Sequence, residues 1–339
     1  MQLKRPQTIG LAVAAAVVVA AVVVAVALGG RGPSAAPATP GPAPSSAAPS
    51  PSATPTPSPS PTPEPEPVDP LTGEEVVEAE VFAVKIDNLA PARPQLGLSS
   101  ADIVVAEEVE AGLSRLVAVF HTEFPDRVGP VRSARNTDVE LLPLFGEPGL
   151  VYSGANSKVQ ANVRGSKHLV PIERSDRDST RPAPHNVVVD LGALAKQHEV
   201  GEARDIGWEF GDQDDAWDGA EDSDDLAVGI GGDDFTFERR DDRYQPAVNG
   251  DPYTDGGDAV LVDNVVVLSV RNRDDEDTTS SQSIVSETTG KGKVEVTREG
   301  RTLTGTWRRD EVEDPMTFTD EDGEPMLLKP GSSWVLLKG

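Results

Sequence analysis

Between Val81 and Asn136 the chain sets short apolar runs directly against charged residues, in a rhythm that suits strands better than helices. Val81 to Ile86 predicts a first strand, with Asp87 and Asn88 as its polar exit; Pro91 and Pro94 then forbid a regular element. Leu98 to Asp102 predicts a short helical turn capped by serine. Ile103 to Ala106 predicts a second strand that runs into Glu107, Glu108 and Glu110. After a turn at Ala111 and Gly112, Arg115 leads into a third strand, Leu116 to Phe120, with His121 at its end on the surface. Arg127 to Val131 is a short fourth strand. Ser133 to Asp138 opens a helix whose apolar face is Val139, Leu141, Leu142 and Phe145. Leu150 to Tyr152 is a further strand, Asn156 or Ser157 caps a helix around Val159 to Val163, and Asp190 caps another from Leu191 to His198.

The pattern changes after that. Gly201 to Asp258 holds 19 acidic against 4 basic residues, interleaved with glycine, which predicts a loop-rich acidic insertion. From Ala259 strands recur at hairpin spacing: Ala259 to Val270, Ser283 to Ser286, Lys293 to Thr297, Thr302 to Arg308, Met316 to Thr319, Met326 to Leu328 and Ser333 to Leu337. Turns at Thr289 to Gly292, Glu299-Gly300, Asp322-Gly323 and Pro330-Gly331 make this a β-meander, with Trp307 and Trp334 in its core.

The amino end is different again. Lys4 and Arg5 precede an unbroken apolar run at 9–28, long enough to cross a bilayer as a helix with the body outside. Cleavage near Ala27, releasing a secreted protein, is the competing reading; the length of the run favours an uncleaved anchor. Residues 33–75 are rich in Pro, Ala, Ser and Thr and form a disordered spacer that buries no core. The chain is therefore divided into an anchor at 1–32, a linker at 33–75, an α/β or α+β domain with a mixed sheet at 76–200, an acidic connection at 201–232 and a smaller β-rich domain at 233–339.

Composition narrows the chemistry. A formal charge of −27 argues against nucleic acid as a partner, and the absence of cysteine excludes disulfides, thiolate metal sites and a cysteine nucleophile. Acidic and glycine residues around 201–258 match neither an EF-hand loop nor a calcium-binding nonapeptide repeat, so no metal and no cofactor is expected. Arg132 and Arg135, near a helix start, have the forked donors that hold a carboxylate or phosphate. Asp87, Glu107, Glu108 and Glu110 form a carboxylate set; strand alternation puts Glu108 and Glu110 on one face and Glu107 on the other. Two carboxylates on one face serve acid and base chemistry on a glycan or hold a divalent cation. Their alternative is a structural network with Arg93, Arg115, Arg132 and Arg135, and the loop residues His185 and Asn186 join whichever edge the fold brings them to.

Several motifs in one order carry a family resemblance. The segments IDN, ARPQ, SSADIV, AGLSR, AVFHTE, VGPVRSAR and APHN, then NVVV, GTW and the final Pro330-Gly331 with Trp334, resemble the bacterial YerB-like family, domain-of-unknown-function family 3048. The resemblance covers Val76 to the end and implies an extracytoplasmic, envelope-attached protein with an amino-terminal α/β domain and a β-rich second domain. Its members are often lipoproteins, a pattern this cysteine-free chain departs from. It implies no activity. Two classes remain open: a binding protein for a wall glycan, an anionic wall polymer or an envelope protein, and an enzyme acting on an anionic wall precursor.

Overall fold

The computed structural model describes residues 67–339 except 213–216, 218 and 279–281, so the expected membrane span at 9–28, the cleavage point near Ala27 and most of the Pro-rich linker lie outside the described residues. Among the described residues no helix is long and apolar enough to cross a membrane. The first half supplies β1 (Phe82–Asp87), β2 (Ile103–Glu108), β3 (Ser114–Phe120), α1 (Asn136–Leu141), β4 (Gly149–Tyr152), α2 (Ser157–Gly165), β5 (Val170–Glu173) and α3 (Leu191–Ala195). The second supplies β6 (Glu221–Asp222), β7 (Asp225–Ile230), β8 (Asp233–Arg240), β9 (Arg243–Val248), β10 (Asp251–Pro252), β11 (Thr254–Asp255) and β12 (Asp258–Ala259). It continues with β13 (Asn264–Ser269), β14 (Arg271–Asp274), β15 (Ile284–Glu287), β16 (Gly290–Arg298), β17 (Arg301–Arg309), β18 (Thr317–Thr319) and β19 (Ser333–Lys338).

One mixed sheet runs through both halves. Its strand order among the described residues is β18-β17-β16-β13-β19-β2-β3-β1-β4-β5, with β6 pairing on β17. β1, β2 and β3 pair antiparallel, while the last strand, β19, lies parallel between β13 and β2. Of the carboxyl-terminal strands, only β13, β16, β17 and β18 pair in the main sheet as a meander, with β14 and β15 forming a separate hairpin between them. β19 returns to the middle of the sheet because WVLL is an unbroken apolar run, buried together with Ser333 before it, and such a strand is stable only where both faces are covered.

Both faces are covered here. On one side Ala83, Val105, Val117 and Val335 pack against Leu141 and Phe145 from the α1 region, Val159 and Val163 of α2, and Trp307. On the other, Val84, Val104, Ala118, Trp334 and Leu336 pack against Leu191 of α3 and against Phe235, Phe237, Tyr244 and Val248 from a small antiparallel sheet, β10-β9-β8-β7. Trp334 lies 5.0 Å from the Tyr253 ring and 6.0 Å from the Phe237 ring, centroid to centroid.

Four expectations need correction. The acidic stretch after Gly201 is not mainly loop: β7, β8 and β9 lie in it, with Phe235 and Phe237 buried while Asp234, Thr236 and Glu238 face water. Acidity on the outward positions hid a period-two strand pattern. Arg127 to Val131 forms only isolated bridges, from Val128, Gly129 and Val131 to three different segments, since Pro130 has no N–H for a ladder. Gly290 to Gly292 begins β16 and is no turn; a Cβ on Gly292 would collide with the Ser269 carbonyl and the Trp307 indole, so glycine permits the close approach.

His121 is the fourth. It is 1% exposed, because the segment around Asp69 folds over the strand end and places Asp69 Oδ2 2.9 Å from His121 Nε2. Burial favours the neutral ring, but the Asp69 carboxylate outweighs it and raises the pKa. A raised folded pKa means stabilisation that is complete below about 6.5 and lost as pH rises through the folded value. Replacing His121 by Gln is expected to cost about 2 kcal/mol at pH 6, and the gap to wild type should narrow toward pH 9 in denaturant titrations. A gap independent of pH would refute the charged pairing.

Candidate functional site

The register of the three antiparallel strands builds the site. Asp87 of β1 and Glu107 of β2 both stand opposite Arg115 of β3, so the three side chains share one face, with Lys85 two residues earlier on the same face. Glu108 turns to the opposite face and accepts from Asn272 Nδ2 at 3.1 Å. Glu110 breaks the expected alternation. β2 ends at Glu108, and the turn that follows, with Ala111 at φ 60°, swings the Glu110 carboxylate back to the Arg115 side.

Three linked groups result. In the first, Glu110 takes Arg115 Nη2 at 2.8 Å and Arg135 Nε and Nη2 at 2.9 and 2.5 Å, while Arg115 also donates to the Ser133 carbonyl at 3.2 Å. Burial alone would push the Glu110 carboxyl up, yet the two guanidinium groups hold it down at about 2. Burial and the neighbouring Arg135 bring Arg115 down to about 10. In the second, Lys85 Nζ is held between Glu107 Oε1 and Asp138 Oδ1, the latter at 2.7 Å, and all three side chains are 0% exposed. Burial raises the Glu107 pKa, with Lys85 opposing and Asp138 reinforcing the shift.

The third group is the most open. Asp87 Oδ2 lies 2.6 Å from His185 Nδ1 and 3.1 Å from Arg132 Nε, the latter off the hydrogen-bond line. The Arg132 backbone is pinned by donating to Lys85 O at 2.8 Å and accepting from Ser153 N at 2.9 Å. Its terminal guanidinium nitrogens have no protein partner among the described residues, and the side chain is 21% exposed. The Asp87 contact fixes the His185 ring with Nδ1–H toward the carboxylate, leaving Nε2 as its free nitrogen.

Of the ten residues marked from sequence, Asp87, Glu107, Glu110, Arg115, Arg132, Arg135 and His185 come together in this layer. Arg93 instead pairs with Asp251 at 2.6 Å, Glu108 meets Asn272, and Asn186 Oδ1 accepts from Arg177 at 2.7 Å. Sequence reasoning missed Lys85 and Asp138. A lysine inside the apolar run VFAVKID was the available signal, since a charge on a strand buried on both faces requires a charged partner. Four cations, Lys85, Arg115, Arg132 and Arg135, thus meet four carboxylates, Asp87, Glu107, Glu110 and Asp138.

Among the described residues no group of three or more His, Asp or Glu side chains is placed to hold a metal ion. Cavities of about 490 and 320 Å³ elsewhere on the surface are lined by none of the ten residues. The Glu110 group is a structural clamp with a pH signature. A depressed folded pKa gives stabilisation that is complete above the ordinary glutamate range and lost as pH falls toward about 2. Glu110→Gln is therefore expected to lower the unfolding midpoint at pH 7 and to converge on wild type between pH 4 and pH 2; a constant difference across that range would contradict the clamp.

Residues 70–204 match the N-terminal domain, and residues 227–335 the C-terminal domain, of the protein family of unknown function DUF3048. YerB of Bacillus subtilis (strain 168), provisionally named a lipoprotein, is 33% identical over 140 residues, covering 38% of this chain and 42% of that relative. The crystal structure of Bacillus subtilis YerB superposes with a TM-score of 0.66 over 80% of this chain and 96% of that one, at 21% identity, which shows a common fold. The two-part match along one continuous sheet, together with the YerB likeness, establishes that this chain belongs to the YerB-like DUF3048 family.

Proposed function

We propose that this is an envelope-attached, extracytoplasmic binding protein that takes an anionic group of a wall polymer at Arg132 and His185. The observation that carries this reading is the state of Arg132. Asp87 forms an ion pair with its Nε side, and among the described residues the terminal nitrogens have no protein partner at a partly exposed position. A guanidinium held in this way presents two parallel donors, the geometry that suits a phosphate or carboxylate. Arg115 and Arg135 do not share this role, because Glu110 already occupies both. Attachment to the envelope is supported by the apolar run at 9–28 and by the lipoprotein name of the Bacillus relative. In this reading 9–28 tethers the chain to the cell membrane as a single-pass anchor, and the Pro-rich stretch spaces the body away from it.

One observation favours an enzyme as the second reading. A histidine whose Nδ1 is held by a buried aspartate has its Nε2 aimed for proton transfer. Beside Arg132 it would act as acid and base on an anionic wall precursor, in glycan or phosphoryl transfer.

The test uses the full chain with a poly(glycerol phosphate) polymer and, separately, a carboxylate polymer of equal charge, at two salt concentrations. Arg132→Lys, which keeps a cation beside Asp87 but loses the paired terminal donors, is expected to weaken binding about tenfold, the equivalent of one charge-assisted contact, while leaving the unfolding midpoint near wild type. Binding that survives the substitution, or that disappears for wild type at the higher salt, would defeat a shaped anion site. Turnover of either polymer, abolished by His185→Gln, would establish the enzymatic reading instead.

A further inference from the structure

We propose that Lys85 and Asp138 become joined by an amide bond, made by the folded chain itself with Glu107 as the proton carrier. The inference stands apart from the anion site. It starts from the second group of the charged layer, where Lys85 Nζ contacts both Glu107 Oε1 and Asp138 Oδ1, with all three side chains sealed from water. Their surroundings are apolar: Val105 and Val117 on the adjacent strands and Leu141 of α1 lie in the core on that face of the sheet.

Charge counting shows why this set is unlike an ordinary ion pair. One lysine contacts two carboxylates here, and the cation that balances the second is not in contact with them but in the neighbouring Glu110 group, where Arg135 acts on Glu107 only through space. Burial raises the Glu107 pKa, which favours the protonated form of that residue over the charged one. Among the described residues Glu107 Oε2 has no hydrogen-bond partner, so one oxygen of the acid remains available to accept or deliver a proton.

The roles of the two carboxyl groups follow from their contacts. Asp138 Oδ2 accepts the backbone N–H of Arg135 at 2.7 Å, and such a donor stabilises negative charge developing on a carboxyl oxygen under attack. Asp138 Oδ1 is 2.7 Å from Nζ, so the amine contacts an oxygen one carbon–oxygen bond away from the carboxyl carbon it would attack. Asp138 is thus the electrophile, and Glu107, in contact with the same amine and with its second oxygen unpartnered among the described residues, is the acid.

The step balances without any co-reactant. The ammonium of Lys85 gives up a proton to the Asp138 carboxylate by way of Glu107, producing a free amine beside a carboxylic acid. Nζ attacks Cγ of Asp138, forming the N–C bond. Glu107 then delivers its proton to the departing hydroxyl and recovers one from the nitrogen. The C–O bond breaks and one water leaves. An ammonium and a carboxylate have become a neutral amide, which removes two charges from the core, and Glu107 ends protonated as it began. The bond would fasten β1, the first strand of the sheet, to α1 across 53 residues of chain.

Tryptic mapping of the purified full chain by mass spectrometry tests this. Trypsin should fail to cut after Lys85, and the fragment running through Lys85 to Arg115 should appear joined to Asn136–Lys158, lighter by one water than the two together. Glu107→Gln should restore cleavage after Lys85 and release Asn136–Lys158. Quantitative cleavage after Lys85 in the wild-type chain would overturn the proposal, however the variant folds. Loss of water within the fragment ending at Arg115, which contains both Lys85 and Glu107, would overturn the assignment of Asp138. A folded Glu107→Gln chain that still carried the branch would overturn the role of Glu107.

Discussion

A strand covered on both faces offers a charged side chain no route to water, and this constraint organises the middle of the protein. β1, β2 and β3 lie deep in the central sheet, packed on one side by the α1 and α2 region and on the other by the small antiparallel sheet. Lys85, Asp87, Glu107 and Arg115 are buried there, each facing an opposite charge. Burying any one alone would cost several kcal/mol, so they persist only as a set. Most of the charge chemistry is therefore directed at the protein itself, and functional reach is confined to the rim, where Arg132 and His185 leave the layer.

The rim depends on a second feature, the return of the final strand to the centre. β19 lies between β13 and β2, so the first and last stretches of the described fold share a ladder. Trp334 on that strand supports the Tyr253 and Phe237 rings, and Tyr253 donates to Asn88, the residue next to Asp87. The anchor of the anion-binding candidate is thus supported from the far end of the sequence. Segments distant in sequence need each other to form, as expected of a fold dominated by non-local strand pairing.

Much of the fold was legible in local pattern. The strands at Val81, Ile103, Leu116 and Leu150 and the caps at Asn156 and Asp190 stand where apolar runs and helix-start residues placed them. The family was also legible, because its motifs lie in these elements one after another along the chain. Errors arose where one signal masked another. Acidic outward positions concealed β7 to β9, and a strand-end histidine looked exposed because the covering Asp69 lies 52 residues away.

For the site, the sequence by itself determined which residue types were available and that arginines and carboxylates would meet near the ends of the first three strands. Only the tertiary structure decided their partners. Strand register set Asp87 and Glu107 against Arg115, a turn with positive φ carried Glu110 across, and the helix start at Asn136 delivered Asp138 to Lys85. Alternation along a strand is a local rule, readable from spacing. Which cation meets which carboxylate depends on distances between segments far apart in the chain, and no local pattern encodes those.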